Sequence, residues 1–231
     1  KKWDYVVIFY RKKKRIVFFK EIEYDIAKLC KGENRMICSV HTLGINGIQG
    51  SHVTVECYIS NGLPGFDIVG LPDAAVKEAR ERVRAAIKTG GAKFPLSRIT
   101  VNLAPADRRK EGSAYDLPLA LGLLAASGII PADVLEGWFT ASELSLDGRL
   151  KPVSGLLPLA LLARREKARG LIVAPENAGE AAVVEGLPVF AAQTLGEAVA
   201  FLMGRTELAP SQPLPPEAEN GFPLDFADVK G

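Results

Sequence analysis

The chain lacks most of the signals that identify an exported, membrane-spanning or metal-binding protein. Its three cysteines, Cys30, Cys38 and Cys57, form no CxxC pair, and only two histidines, His41 and His52, accompany them. That spacing fits no structural zinc site, and an odd cysteine count does not give a disulfide framework; free thiols in the cytoplasm are expected. The longest apolar stretches, Leu117–Ala126 and Leu156–Ala163, fall well short of the roughly 20 residues of a membrane-spanning helix. Val6–Tyr10 is too short for the core of a secretory signal, and no small-residue cleavage site follows it. No internal repeat is evident, and no GxxxxGK[ST] phosphate loop occurs anywhere.

What is present is ordinary in bulk and uneven in distribution. The 231 residues are 48% hydrophobic and 24% charged, typical of a globular protein large enough for a substantial core. A net charge of +2 conceals an asymmetry. Residues 1–35 carry 11 Lys and Arg against 5 Asp and Glu, and the remainder carries 18 against 22. The first segment also holds 7 of the 17 aromatics. Val6–Tyr10 and Ile16–Ile22 read as a hairpin whose basic turn, Arg11–Arg15, is better taken as solvated than as a nucleic-acid contact. Lys31-Gly32-Glu33 is compatible with a purine-rich ribosome-binding sequence just ahead of Met36. Residues 1–35 are therefore an expected non-native or upstream segment, with Met36 a candidate start.

Regular patterns begin after Met36. Val53–Ile59 alternates as a strand and ends at Asn61-Gly62. Phe66–Val69 is a short strand closed by Gly70. A helix runs from Pro72-Asp73 to about Lys88, with Val76, Ala79, Val83 and Ile87 on one stripe, and Gly90-Gly91 stops it. On that helix Lys77/Glu81 and Glu78/Arg82 are spaced as i, i+4 ion pairs, leaving Arg80 and Arg84 unpaired. Arg98–Leu103 is a strand, residues 105–113 a polar loop, and Tyr115–Ser127 a helix apolar all round and hence buried. After Pro131 come a shorter helix, a strand over Phe139–Leu144, a turn at Asp147-Gly148, a helix over Leu156–Arg165 and a strand over Leu171–Val173. Asn177 is expected to cap the next helix, and Thr194 with Glu197 forms a capping box for the last. Such alternation predicts an α/β sandwich with one mixed sheet over residues 36–204. Residues 205–224, with four prolines between 210 and 216, read as a semi-rigid linker.

Several long strings carry a family resemblance. Gly62–Pro72 (GLPGFDIVGLP), Glu78–Arg84, Ile99–Asp107 (ITVNLAPAD), Lys110–Pro118 and Glu143–Leu150 resemble the N-terminal domain of the ComM/YifB family, magnesium-chelatase-like AAA+ ATPases. The resemblance implies a ChlI-type domain with the fold of the Lon protease domain, which is the ribosomal protein S5 domain 2-like fold. It further implies a homohexameric DNA motor, active in branch migration and recombination during natural transformation. Asp225–Gly231 resembles the lead-in to the AAA+ module, so a phosphate loop is expected shortly after Gly231. ATP and Mg²⁺ would belong to that module, with no cofactor held by this chain.

Lon-type proteolysis pairs a serine nucleophile with a lysine kept neutral by burial. In the resemblance, Gly112–Asp116 matches the nucleophile turn and puts Ala114 at the serine position. Ser154-Gly155-Leu156 matches the stretch before the lysine and puts Leu157 at the base position. Both catalytic places are therefore vacated. Ser113 is read as the cap of a helix starting at Ala114, and Asp116 as a structural bond to the preceding loop. Arg108, Arg109 and Lys110, three cations running into a helix start, are the candidate DNA contacts. A peptidase with rearranged residues and a chelatase subunit are the competing readings.

Overall fold

The computed structural model describes residues 37–46 and 49–213. The amino-terminal hairpin, Cys30, Met36 as a start, residues 214–224 of the linker and the Asp225–Gly231 lead-in lie outside the described residues.

A seven-stranded mixed sheet forms the centre. Its strands are β1 (Ile37–Asn46), β2 (Gln49–Ser60), β3 (Gly65–Val69), β4 (Arg98–Ala104), β5 (Trp138–Ala141), β8 (Gly170–Val173) and β9 (Val189–Ala191). Their spatial order is β3-β4-β2-β1-β5-β8-β9. β1, β2 and β4 pair antiparallel, while β3–β4, β1–β5, β5–β8 and β8–β9 pair parallel. Two short strands, β6 (Glu143–Leu144) and β7 (Leu150–Lys151), form a separate antiparallel pair.

The helices are α1 (Ala74–Thr89), α2 (Asp116–Ala126), α3 (Leu156–Arg165), α4 (Pro175–Ala181) and α5 (Leu195–Leu202). α1, α2 and α5 pack with the inward residues of β2 and β4 in one cluster. α3 and α4 cover the opposite face over β1, β5 and β8 in a second. α1 presents the expected stripe of Val76, Ala79, Val83 and Ile87, joined by Ala86. Its start is fixed by Asp73, whose Oδ1 accepts from Val76 N at 2.8 Å, and it ends at Gly90. All eleven residues of α2 are buried. Each of its five leucines contributes about 1.5–3 kcal/mol by leaving water. α2 approaches β1 and β2 closely at Gly122, where any Cβ would meet Cys57 Sγ at 2.6 Å and Val40 at 3.2 Å. Burial, reinforced by Cys38, pushes the Cys57 thiol well above its usual range. The cysteine behaves as a core residue rather than a reactive one.

Several local expectations need correction. The helix after Pro131 is only a 3₁₀ turn, Asp133–Leu135. The single strand over 139–144 divides at Ser142 into β5 in the main sheet and β6 in the small one. Asn177 lies inside α4 rather than capping it. Its side-chain amide bridges to Val153, accepting from Val153 N at 2.8 Å and donating to Val153 O at 2.9 Å. The capping box at α5 is half present. Thr194 Oγ1 accepts from Glu197 N at 3.1 Å, but the Glu197 carboxylate reaches Gln193 N at 2.6 Å instead of the cap residue. β1 has no counterpart among the sequence expectations, and Pro210 and Ser211 run beside β9, with Ser211 N donating to Val189 O.

Candidate functional site

The loop from Pro105 to Ser113 joins β4 to α2 and is tied to the start of α1. Lys110 N donates to Leu71 O at 3.0 Å and Asp73 N to Lys110 O at 2.9 Å. Asp73 Oδ2 accepts from Gly112 N at 3.2 Å, so one carboxylate both caps α1 and anchors the loop. The chain reaches Asp73 through Gly70, whose φ of 96° lies in the left-handed region, and through Leu71 with φ 59°.

Lys110 is not the surface cation expected from sequence. It is only 1% exposed, and its Nζ donates to Pro105 O and, at 2.8 Å, to Arg108 O. Burial depresses its pKa, against a raising influence from Asp107 and with a further lowering one from Arg108. The trio proposed from sequence therefore divides. Arg109 is exposed and pairs with Glu111 at 3.3 Å. Arg108 is exposed, with its backbone carbonyl turned to Lys110.

α2 begins at Asp116 with Tyr115 as the flanking residue, and no side chain caps it. Ser113 is therefore not the cap; its backbone carbonyl accepts from Asp116 N at 3.3 Å. The Asp116 side chain does not bind the preceding loop either. Fully buried, it receives Arg82 of α1 through two N–H groups, Nε to Oδ2 at 2.6 Å and Nη2 to Oδ1 at 3.0 Å. Leu144 N adds a third bond at 3.1 Å. Burial pushes the carboxyl above the ordinary carboxylate value, opposed by Arg82 and the Leu144 amide. The carboxylate in turn raises the Arg82 guanidinium. This bond replaces the expected Glu78/Arg82 pair. The Lys77/Glu81 pair is not formed either; Glu81 lies 4.0 Å from Arg84.

Ala114 is half-buried against the cluster that includes Leu156 and Leu159 of α3, and its carbonyl accepts from Ser142 N at 3.2 Å. Leu157 is 38% exposed on α3, with its backbone N–H donating to Glu180 Oε1 at 2.9 Å. Neither place offers a nucleophile or a base. Nearby, Ser142 Oγ is committed to the carbonyls of Glu143 and Lys151.

Sequence reasoning missed two constellations. The first joins both histidines. His41 Nδ1 and His52 Nε2 are 3.0 Å apart beside the Phe139 ring, with Glu166 3.9 Å from His52. Burial and the neighbouring His52 lower the His41 pKa, against Glu166. Among the described residues no group of three or more His, Cys, Asp or Glu side chains is placed to hold a metal ion. The second lies along α1, where Lys77, Arg80, Arg84 and Lys88 share one side of the helix. Its i, i+3, i+7, i+11 spacing is present in the sequence, where the i, i+4 spacing of Lys77 with Glu81 makes that face read as a solvated one.

Residues 55–177 match the family model described as subunit ChlI of Mg-chelatase. The competence protein ComM of Haemophilus influenzae is 43% identical over 196 residues, covering 83% of this chain and 38% of that protein. An uncharacterized protein of Salmonella typhimurium called YifB is 45% identical over 193 residues, covering 83% of the chain and 38% of its own length. An uncharacterized protein of Mycobacterium tuberculosis is 41% identical, with 82% and 38% covered. The chain thus spans 38% of the length of these relatives.

Proposed function

From its membership of the ComM/YifB family, an AAA+-related, Mg-chelatase-like family whose ChlI-type domain it carries, we propose that this chain is a non-catalytic accessory domain of a DNA motor. In this reading the whole protein is a homohexameric ATPase that moves branched DNA during recombination and natural transformation. The Haemophilus relative is a competence protein by name, which supports that setting. ATP and Mg²⁺ would be held by the AAA+ module, and this domain would contact DNA and its neighbours in the ring. We read its fold as Lon-protease-like.

The observation that carries the non-catalytic part is the pair of aliphatic side chains, Ala114 and Leu157, at the places matching the nucleophile and base of a Lon-type site. The polar groups around the α2 start do not replace them. Lys110 holds two carbonyls, and Asp116 holds Arg82 and the Leu144 amide. Ser113 is the aliphatic hydroxyl of that turn, beside the buried Tyr115 phenol. Incubation with unfolded casein and an active-site serine probe tests the assignment. No cleavage and no label at Ser113 are expected; labelling abolished by Ser113→Ala would overturn it.

For DNA, exposed Arg108 and Arg109 remain the contacts implied by the sequence, without Lys110. Phosphate contacts of this kind position a protein without reading sequence. A ring would repeat them around its axis, so that individually weak contacts act together.

A further inference from the structure

α1 carries more unneutralised positive charge than the loop from which DNA contact was expected. Lys77, Arg80, Arg84 and Lys88 fall within about 80° of arc and are separated axially by about 4.5, 6 and 6 Å, at 100° and 1.5 Å per residue. Lys77 and Lys88 are exposed and the two arginines half-buried. Beside them runs β3, an edge strand of the sheet. An open groove of about 550 Å³ is lined by Lys77 and Arg80 with Arg98, Thr100 and Asp67. A second, of about 150 Å³, continues along the helix and includes Arg84, Lys88 and Phe94.

The acidic groups nearby offset only part of this charge. Asp67 is paired with Arg98 at 2.9 Å. Glu81 borders the stripe at 4.0 Å from Arg84, with both side chains solvent-accessible, where an ion pair contributes little. The arginines are also held in place. Arg80 donates through Nε to Lys77 O and through Nη1 to Phe66 O, and the Arg84 guanidinium lies 5.3 Å from the centre of the Phe94 ring. The Arg84 Nε is buried without a hydrogen-bond partner.

We propose that this stripe, Lys77–Arg80–Arg84–Lys88 with Arg98 beside it, is the surface on which the domain holds a nucleic-acid backbone. The inference rests on the DNA-handling reading above and moves its contact from the loop to the helix. The cations are strung along a line and do not converge on a point, so they suit a linear polyanion rather than a single phosphate or carboxylate. Added as a strand, an acidic peptide would need the free backbone of β3, and Arg80 already occupies the Phe66 carbonyl there, a common way of blunting an edge. A phosphodiester chain needs only the regularly spaced charges.

The test is fluorescence anisotropy with the 231-residue chain, a labelled single-stranded oligonucleotide and its duplex, titrated over salt. Lys77→Gln/Arg84→Gln/Lys88→Gln should weaken duplex binding by about tenfold or more and flatten the log–log salt slope by about 2 to 3, at roughly 0.9 per phosphate contact. Arg108→Gln/Arg109→Gln should change both much less. Lys77→Glu/Lys88→Glu, confined to exposed side chains, should weaken binding while leaving thermal melting unchanged, which separates contact from folding. If the loop variant loses binding and the helix variants keep it, this inference falls and the DNA-handling reading stands. If the unaltered chain binds polyglutamate but neither oligonucleotide, both fall.

Discussion

Arg82 and Asp116, 34 residues apart, meet in a two-point ion pair that fastens α1 to the first residue of α2. The carboxylate is fully buried, while Arg82 retains 20% exposure. Removing one partner leaves the other uncompensated, most severely the fully buried carboxylate, at a cost of about 3–5 kcal/mol. Asp116→Ala and Arg82→Met should therefore each destabilise strongly in denaturant titration. Arg82→Met/Asp116→Leu should cost clearly less than the two single losses added together.

Gly70→Ala should be among the most damaging single substitutions. The residue combines a left-handed φ with close approach to the Leu103 backbone, where a Cβ would collide with the carbonyl. A loss of about 2–4 kcal/mol is expected from strain and displacement together. Gly112→Ala is the matched control: its φ is 83° but nothing lies near the added carbon. It should cost only about 1–2 kcal/mol.

Lys110→Met separates charge from structure in the loop. The thioether fills the site but cannot donate to the carbonyls of Pro105 and Arg108. Stability should fall by about 1–3 kcal/mol, while DNA affinity measured by anisotropy stays within about twofold, because the ammonium never faced solvent. A tenfold loss of affinity in a folded Lys110→Met chain would return the residue to the interface.

The paired histidines give a pH dependence of defined sign. Folding holds His41 below its ordinary value, so the unfolded chain takes up the proton first. The resulting stability is complete above the unfolded value of 6.5 and is lost as pH falls through the lowered folded value. Denaturation midpoints measured from pH 7.5 downward should fall, and His41→Gln should flatten that fall.

The parts of the fold legible in sequence are those written in short-range period. The α1 stripe and the nearly all-apolar α2 follow from spacing alone, and α3 occupies the expected residues. β1 was hidden because Thr42, on its inward face, reads as polar. In the structure it is fully buried and donates to Thr140 O at 2.6 Å, a partner 98 residues away. The same limit conceals the site. Arg82 has a plausible local partner in Glu78, and nothing local shows that Asp116 outcompetes it. Lys110 reads as a surface cation among charged neighbours until the loop folds over it. The histidines, 11 residues apart, become neighbours only when β1 and β2 pair.

The central claim, that this domain holds nucleic acid without doing chemistry on it, is tested most directly by the salt dependence of the unaltered chain's affinity for duplex DNA. With four phosphate contacts the account predicts binding that weakens roughly a hundredfold between about 50 and 200 mM salt. Absence of binding at the lower concentration, or affinity that salt leaves unchanged, would contradict it.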